Sequence, residues 1–179
     1  MNLPNKITIF RVIMIPVFLV LLLVPGIPYG NWIAAAVFII ACLSDALDGY
    51  LARKNNLVTN FGKFMDPLAD KLLVCSALIC FVELSYMPAW IVIVIIAREF
   101  IISGFRLIAS DNGVVIAASY WGKFKTTFQM IACILLIIQL PFSWAEVVEQ
   151  VFIYLSLILT VVSLFEYIWK NKSVLKEQK

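Results

Sequence analysis

The amino-acid sequence predicts an all-α integral membrane protein, a bundle of six transmembrane helices with both termini on the cytoplasmic side. Hydrophobic residues make up 63% of its 179 residues and charged residues only 14%, far from the roughly 25% charge of soluble domains. Six apolar runs are long enough to cross a bilayer, and the positive charges fall on one side of them. Because the connections are short, we expect a single domain over residues 1–179.

Each apolar run has the length that spans a bilayer core of about 30 Å as a helix. Helices are expected because backbone polar groups in lipid must be satisfied within the segment. The runs cover residues 7–24, 32–52, 67–84, 88–110, 122–140 and 147–169. Turn and interface compositions separate them, namely PGIPYGN, RKNNLVTNFG, ELSYMP, SDNGV and LPFSWAE.

The positive charges predict the topology. With a cytoplasmic N-terminus, the inner segments and adjoining helix ends hold all 14 Lys and Arg residues, while the three outer connections hold only Glu83, Glu146 and Glu149. This bias predicts a multi-pass protein of the cell membrane. The net charge of +3 then reflects membrane orientation, and no nucleic-acid partner is expected.

Four aspartates lie in the stretch CLSDALDGYLARKNNLVTNFGKFMDPLADK, which joins the second and third runs. Asp45 and Asp48 are spaced i, i+3, and Asp66 and Asp70 are spaced i, i+4, so each pair shares one face of a helix. An unpaired aspartate at the centre of a membrane helix costs about 2.5–3.5 kcal/mol. If the nine residues 54–62 form the turn, two antiparallel helices bring the pairs together at the membrane surface.

Such an oxygen-rich pocket suits Mg²⁺ or Mn²⁺ better than zinc, because the chain has no histidine and its four cysteines are isolated in apolar segments. The alternative is that the aspartates are solvated or pair with Arg53, Lys63 and Lys71. Gly49 and Gly62 leave room for a phosphate to approach, although small residues also serve helix packing. Arg53 offers a fork for a phosphate oxygen, so the pattern indicates a metal-dependent phosphate site.

These residues resemble the signature of the CDP-alcohol phosphatidyltransferases. The pattern D-x2-D-G-x2-A-R-x8-G-x3-D-x3-D is matched without a departure, by Asp45, Asp48, Gly49, Ala52, Arg53, Gly62, Asp66 and Asp70. The stretches NLPNKITIFRV, FMDPLADKLLV, AREFIISGFRLIA and WGKFKTTFQM are similar to the bacterial-type members that form phosphatidylglycerophosphate. The resemblance implies six transmembrane helices, a cytoplasmic-side active site, a homodimer and two metal ions.

The resemblance also implies the reaction, which is transfer of the phosphatidyl group from CDP-diacylglycerol to sn-glycerol 3-phosphate with release of CMP. By similarity, Asp45 and Asp66 bridge two Mg²⁺ or Mn²⁺ ions, Asp48 completes the first and Asp70 the second. Asp70 is also the expected base, sharing the work with metal activation of the hydroxyl. Residues expected to hold the CDP-diacylglycerol are Asn5, Thr8, Gly49, Arg53, Thr59 and Gly62, with helix capping as an equal alternative for Asn5.

The acceptor phosphate is expected to bind basic residues of the fourth and fifth runs, namely Arg98, Arg106, Lys123 and Lys125. Arg98 lies ten residues into an apolar run, which is costly unless it meets an anion or Glu99 pairs elsewhere. Lys123 and Lys125 point to different faces of a helix, so one of them is expected to enter a pocket. The alternative for the other basic residues is that they snorkel to lipid headgroups.

Three other functions fit parts of the pattern. An enzyme of the same family with another acceptor, such as a cardiolipin synthase or an inositol-phosphate or serine enzyme, would keep the chemistry. A membrane-embedded prenyltransferase would also bind a diphosphate through Mg²⁺, but two separated aspartate-rich motifs and more helices are expected there. A cation transporter or channel would place its carboxylates toward the bilayer midplane, whereas these lie beside a basic turn.

Overall fold

A computed structural model describes residues 3–54, 60–111, 116 and 119–172, with the side chains of 3–4, 45–54, 60–64, 66–67 and 111 left aside. Within these ranges the chain forms six α-helices and no strand. In chain order they are α1 (Leu3–Leu23), α2 (Gly30–Lys54), α3 (Asn60–Glu83), α4 (Ala89–Asp111), α5 (Tyr120–Ile138) and α6 (Ala145–Lys170). The predicted all-α fold class is confirmed.

Five helices begin and end within a few residues of the predicted runs, but α3 begins at Asn60, seven residues before the predicted residue 67. The nine-residue turn predicted over residues 54–62 is therefore wrong. α2 extends to Lys54 and only residues 55–59 separate it from α3. Hydropathy marks where the apolar part of a helix starts, whereas backbone hydrogen bonding continues through the polar residues before it.

The chain divides into two compact units, the first comprising residues 1–86 and 134–139 and the second residues 87–133 and 140–179. In the first unit α1 packs against both α2 and α3, and α2 also contacts α3. Phe18 of α1 and Phe38 of α2 are fully buried, with their ring centroids 5.7 Å apart. The single-domain prediction for residues 1–179 stays a prediction.

In the second unit α4 packs against α6. Phe105 of α4 meets Tyr167 of α6 edge to face, with ring centroids 6.2 Å apart. Phe128 of α5 lies 5.8 Å from Phe152 of α6, also between centroids. These aromatic contacts join all three helices of the second unit through α6.

In the described connections, three non-glycine residues next to helix ends lie in the left-handed backbone region. Tyr29 precedes α2 with a φ of 57°, Ser85 follows α3 with 61°, and Gln139 follows α5 with 52°. Tyr29 and Ser85 lie in the PGIPYGN and ELSYMP breaks expected from composition, and Gln139 directly precedes the LPFSWAE break. At the start of α5, the Ser119 hydroxyl accepts a hydrogen bond from the Gly122 backbone N–H at 3.1 Å, which is an N-cap.

Among the described residues, three helices are long and apolar enough to cross a membrane by themselves: Asn5–Leu23, Tyr120–Ile138 and Ala145–Lys170. All five tryptophans lie within three residues of a helix end, and their side chains are exposed: Trp32, Trp90, Trp121, Trp144 and Trp169. Tryptophan is enriched at the membrane–water interface, where the ends of transmembrane helices lie, because its ring is apolar and its N–H can hydrogen-bond to water. This distribution supports a membrane protein.

Candidate active site

The two aspartate pairs lie on two helices that contact each other in the first unit. Asp45 and Asp48 belong to the last three turns of α2, and Asp66 and Asp70 to the first three turns of α3. Each pair therefore shares a helix at the predicted spacing. The side chain of Asp70 is half-buried.

Most of the predicted metal and nucleotide ligands lie outside the described side chains. This applies to Asp45, Asp48, Gly49, Arg53, Gly62 and Asp66, and Thr59 lies in the undescribed segment before α3. Their proposed roles therefore stay predictions that rest on the sequence.

The buried face of α1 changes character along the helix. Its first half is polar, with Asn5, Thr8 and Arg11 at 8%, 0% and 0% exposure, and the apolar half begins at Ile15 and continues to Leu22. Asn5 lies inside α1, which starts at Leu3, so a position just before the helix does not apply to it. A polar stripe within an apolar helix is costly in lipid unless protein groups satisfy it, so this stripe indicates a polar site.

Arg11 connects this stripe to the aspartate-bearing helix, and the sequence analysis did not select it as a site residue. Its Nε donates a hydrogen bond to the Ser44 hydroxyl at 3.3 Å, and Ser44 directly precedes Asp45 in α2. The polar start of α1 and the aspartate end of α2 therefore lie together. The sequence feature that could have identified Arg11 is its charge inside the first apolar run.

The second unit holds a buried cluster of charges. Arg98 of α4 is 7% exposed and Lys125 of α5 is 2% exposed, and both contact Oε1 of Glu99. The Arg98 Nη1 lies 3.0 Å from that oxygen. Arg98 also donates from Nε and Nη2 to the Ser163 hydroxyl of α6, at 3.2 and 3.1 Å. Three helices thus supply the charge cluster, which we define as Arg98, Glu99, Lys125 and Ser163.

Two further contacts fix the Arg98 guanidinium in place. Ser163 donates its own hydroxyl hydrogen to the backbone oxygen of Thr160 at 3.0 Å, so its lone pairs face Arg98. Gly122 lies against the guanidinium, and a Cβ there would come within 3.3 Å of Nη2. Neither Ser163 nor Gly122 was selected from the sequence, because a single serine or glycine in a membrane helix usually serves packing.

The other two predicted acceptor residues are placed differently. Lys123 is exposed, with its ammonium 5.5 Å from the Tyr120 ring centroid. Arg106 is also exposed, and its Cζ lies 6.0 Å from the Tyr167 ring centroid. Lys125 is thus buried and Lys123 exposed; the entry of one of them into a pocket stays a prediction.

A comparison with known protein families adds to this geometry. The family model described as CDP-alcohol phosphatidyltransferase matches residues 1–162 of the 179. The chain belongs to this family. This CDP-alcohol phosphatidyltransferase carries the unbroken aspartate signature on α2 and α3, and the prenyltransferase and transporter alternatives lose their support.

Three curated relatives of this CDP-alcohol phosphatidyltransferase share the name "CDP-diacylglycerol--glycerol-3-phosphate 3-phosphatidyltransferase". The Bacillus subtilis protein is 48% identical, over 98% of this chain and 97% of its own length. The Haemophilus influenzae protein is 41% identical, over 97% and 95%. The Escherichia coli K12 protein is 36% identical, over 99% and 98%.

CDP-alcohol phosphatidyltransferases generally depend on a divalent metal. The donor set of this chain fits such an ion, since four carboxylates lie on two contacting helices and histidine is absent from the sequence. Among the side chains that the structure describes, no group of three His, Cys, Asp or Glu residues could hold a metal. The carboxylates of the signature stay the predicted metal ligands.

Proposed function

We propose that this chain transfers the phosphatidyl group of CDP-diacylglycerol to sn-glycerol 3-phosphate, giving phosphatidylglycerophosphate and CMP in phospholipid biosynthesis. The observation that carries the proposal is near full-length identity, up to 48%, with relatives named for this reaction. The aspartate signature and the buried charge cluster supply the two kinds of anion site that the reaction needs.

The nucleotide end of the reaction belongs to the first unit. Asp45, Asp48, Asp66 and Asp70 would hold two Mg²⁺ or Mn²⁺ ions, which supply charge neutralisation at the diphosphate. The residues proposed to bind the CDP-diacylglycerol are Asn5, Thr8, Gly49, Arg53, Thr59 and Gly62. Burial of Asn5 and Thr8 on the polar face of α1, beside the helix that carries Asp45, supports this role.

The acceptor phosphate is proposed to bind in the second unit. Arg98 and Lys125 are buried cations held by protein contacts, so they present charge to an anion with little ordering to do on binding. Arg106 and Lys123 are exposed and would act at longer range, drawing the dianion toward the buried pair.

Asp70 is proposed as the base that accepts the proton of the acceptor hydroxyl. The chain has no histidine, and the half-buried Asp70 is the last residue of the signature, on α3. The attacking oxygen of glycerol 3-phosphate would then bond to the lipid-side phosphorus while CMP leaves.

We further propose that the protein is a multi-pass protein of the cell membrane, with its active site on the cytoplasmic side, and that it forms a homodimer. The six helices, the tryptophans at helix ends and the one-sided distribution of Lys and Arg support the membrane assignment. Both substrates suit this place, because CDP-diacylglycerol is a lipid and glycerol 3-phosphate is a water-soluble anion.

The acceptor is tested by supplying candidates one at a time to the purified protein. CDP-diacylglycerol is incubated in detergent with Mg²⁺ and with glycerol 3-phosphate, phosphatidylglycerol, inositol phosphate or serine, and CMP release is measured. The proposal predicts turnover with glycerol 3-phosphate far above the others. Faster turnover with phosphatidylglycerol or inositol phosphate would assign the protein to another acceptor class of the family.

A further inference from the structure

Among the residues that the structure describes, the Tyr167 hydroxyl is a buried polar group without a hydrogen-bond partner. Tyr167 lies near the end of α6 and is 3% exposed. Its hydroxyl oxygen is buried, and none of the described residues hydrogen-bonds to it. Buried tyrosine hydroxyls usually find a partner, because leaving one unpaired costs about 1–3 kcal/mol. An unpaired hydroxyl of this kind is expected where a ligand completes the site.

Tyr167 lies next to the residues of the proposed acceptor-phosphate site. Tyr167 lies one turn after Ser163 on the same face of α6, and Ser163 holds the Arg98 guanidinium. The Cζ of Arg106 lies 6.0 Å from the Tyr167 ring centroid. The edge contact with Phe105 fixes the plane of the ring.

The charges around Tyr167 match a phosphate monoester. Arg98, Arg106 and Lys125 are three cations and Glu99 is one anion, which leaves two positive charges. A phosphate monoester carries about −1.5 to −2 charges at pH 7. Guanidinium, ammonium and phenol groups can all donate hydrogen bonds to the oxygens of a phosphate.

We propose that Tyr167 is an acceptor-binding residue, whose hydroxyl donates a hydrogen bond to the phosphate of the acceptor bound at Arg98 and Lys125. This inference rests on the proposed function. It adds Tyr167 to Ser163 as a second neutral residue from α6, and it gives the Tyr167 hydroxyl its partner only when the acceptor is bound.

The variant Tyr167→Phe removes the hydroxyl alone. It is expected to keep or raise the stability of the free protein and to weaken binding of the acceptor. Without ligand, the variant should unfold at a temperature equal to or higher than the wild type, since an unpaired buried group is lost. The KM for glycerol 3-phosphate should rise about tenfold or more, because a hydrogen bond to a charged group is lost. The KM for CDP-diacylglycerol should stay unchanged. Tyr154→Phe, at an exposed position of α6, is the matched control and should alter none of these values.

A binding measurement separates this inference from the proposed function. Glycerol 3-phosphate and, in a second series, inorganic phosphate are titrated into the detergent-solubilised protein while its melting temperature is followed. Stabilisation of the wild type that is weakened in Tyr167→Phe supports the inference, whether or not glycerol 3-phosphate is turned over. Equal stabilisation of both proteins, or an unchanged KM for glycerol 3-phosphate, overturns it. Stabilisation of the wild type without turnover would contradict the proposed function alone.

Discussion

Asp70 is the one aspartate of the signature whose side chain the structure describes, half-buried on α3. If Asp70 accepts the proton of the acceptor hydroxyl, Asp70→Asn keeps the shape of the side chain and removes the base. Transfer to glycerol 3-phosphate should then fall by about 10²-fold or more. The melting temperature and size-exclusion profile should stay those of a folded protein. Retained turnover in a folded Asp70→Asn protein would refute the role.

Glu99 is the anion that two buried cations share. Glu99→Gln would leave Arg98 and Lys125 buried without it, and breaking a buried ion pair costs about 3–5 kcal/mol. Because the Glu99 side chain is 20% exposed, we expect the free energy of unfolding to fall by about 3 kcal/mol, the lower end of this range. Thermal unfolding in detergent measures it, and Glu146→Gln at an exposed position of α6 is the control. Equal melting temperatures for both variants would contradict the importance of the cluster.

Gly122 allows α5 to approach the Arg98 guanidinium. A Cβ there would lie 3.3 Å from Nη2, so Gly122→Ala should displace Arg98 by a few tenths of an ångström. We expect the KM for glycerol 3-phosphate to rise a few-fold, well below the ~100-fold that a 1 Å misplacement causes. Gly104→Ala on α4 is the matched control, because its Cβ would meet nothing within 4 Å. An unchanged KM for glycerol 3-phosphate in Gly122→Ala would show that the contact between Gly122 and Arg98 does not affect acceptor binding.

At the scale of the helices, Arg11 joins α1 to α2 at the polar end of the first unit. Its guanidinium is fully buried and bonds to Ser44, the residue before Asp45. Arg11→Lys keeps the charge but loses the guanidinium fork, so stability should fall by about 1.5–3 kcal/mol. Turnover should fall with it, since the start of α1 supports the helix of Asp45. Lys6→Gln, at an exposed position of α1, should change neither value.

The Arg11 prediction is checked by thermal unfolding and CMP release on the same preparations. A variant Arg11→Lys with wild-type stability and wild-type turnover would show that this buried contact is dispensable.

The helices show what hydropathy and side-chain spacing can predict. An apolar run marked each of the six described helices, and every helix except α3 starts and ends near the edges of its run. Helical spacing also put Lys123 and Lys125 on different faces of α5, and the structure shows that Lys125 is the buried one. The start of α3, the Ser163 contact and the orphan hydroxyl of Tyr167 were not predicted, because they depend on backbone bonding and on which helices meet. Sequence spacing gives the face of one helix and not its partner.

For the whole molecule, the distribution of charge predicts that both termini are cytoplasmic. Single cysteines introduced as Glu83→Cys and Lys172→Cys, in a background whose four native cysteines are replaced, test this with a membrane-impermeant maleimide. We expect position 83 to react in intact spheroplasts and position 172 only after permeabilisation, since loops rich in Lys and Arg stay inside. Labelling of position 172 in intact spheroplasts would reverse the orientation.

The most direct test of the account follows the acceptor itself. Labelled glycerol 3-phosphate is incubated with CDP-diacylglycerol, Mg²⁺ and the purified protein, and the label in the organic phase is compared with the CMP released. The account predicts one labelled lipid for each CMP, with both abolished by a chelator and restored by added Mg²⁺. CMP release without label in the lipid, or no reaction with glycerol 3-phosphate, would contradict it.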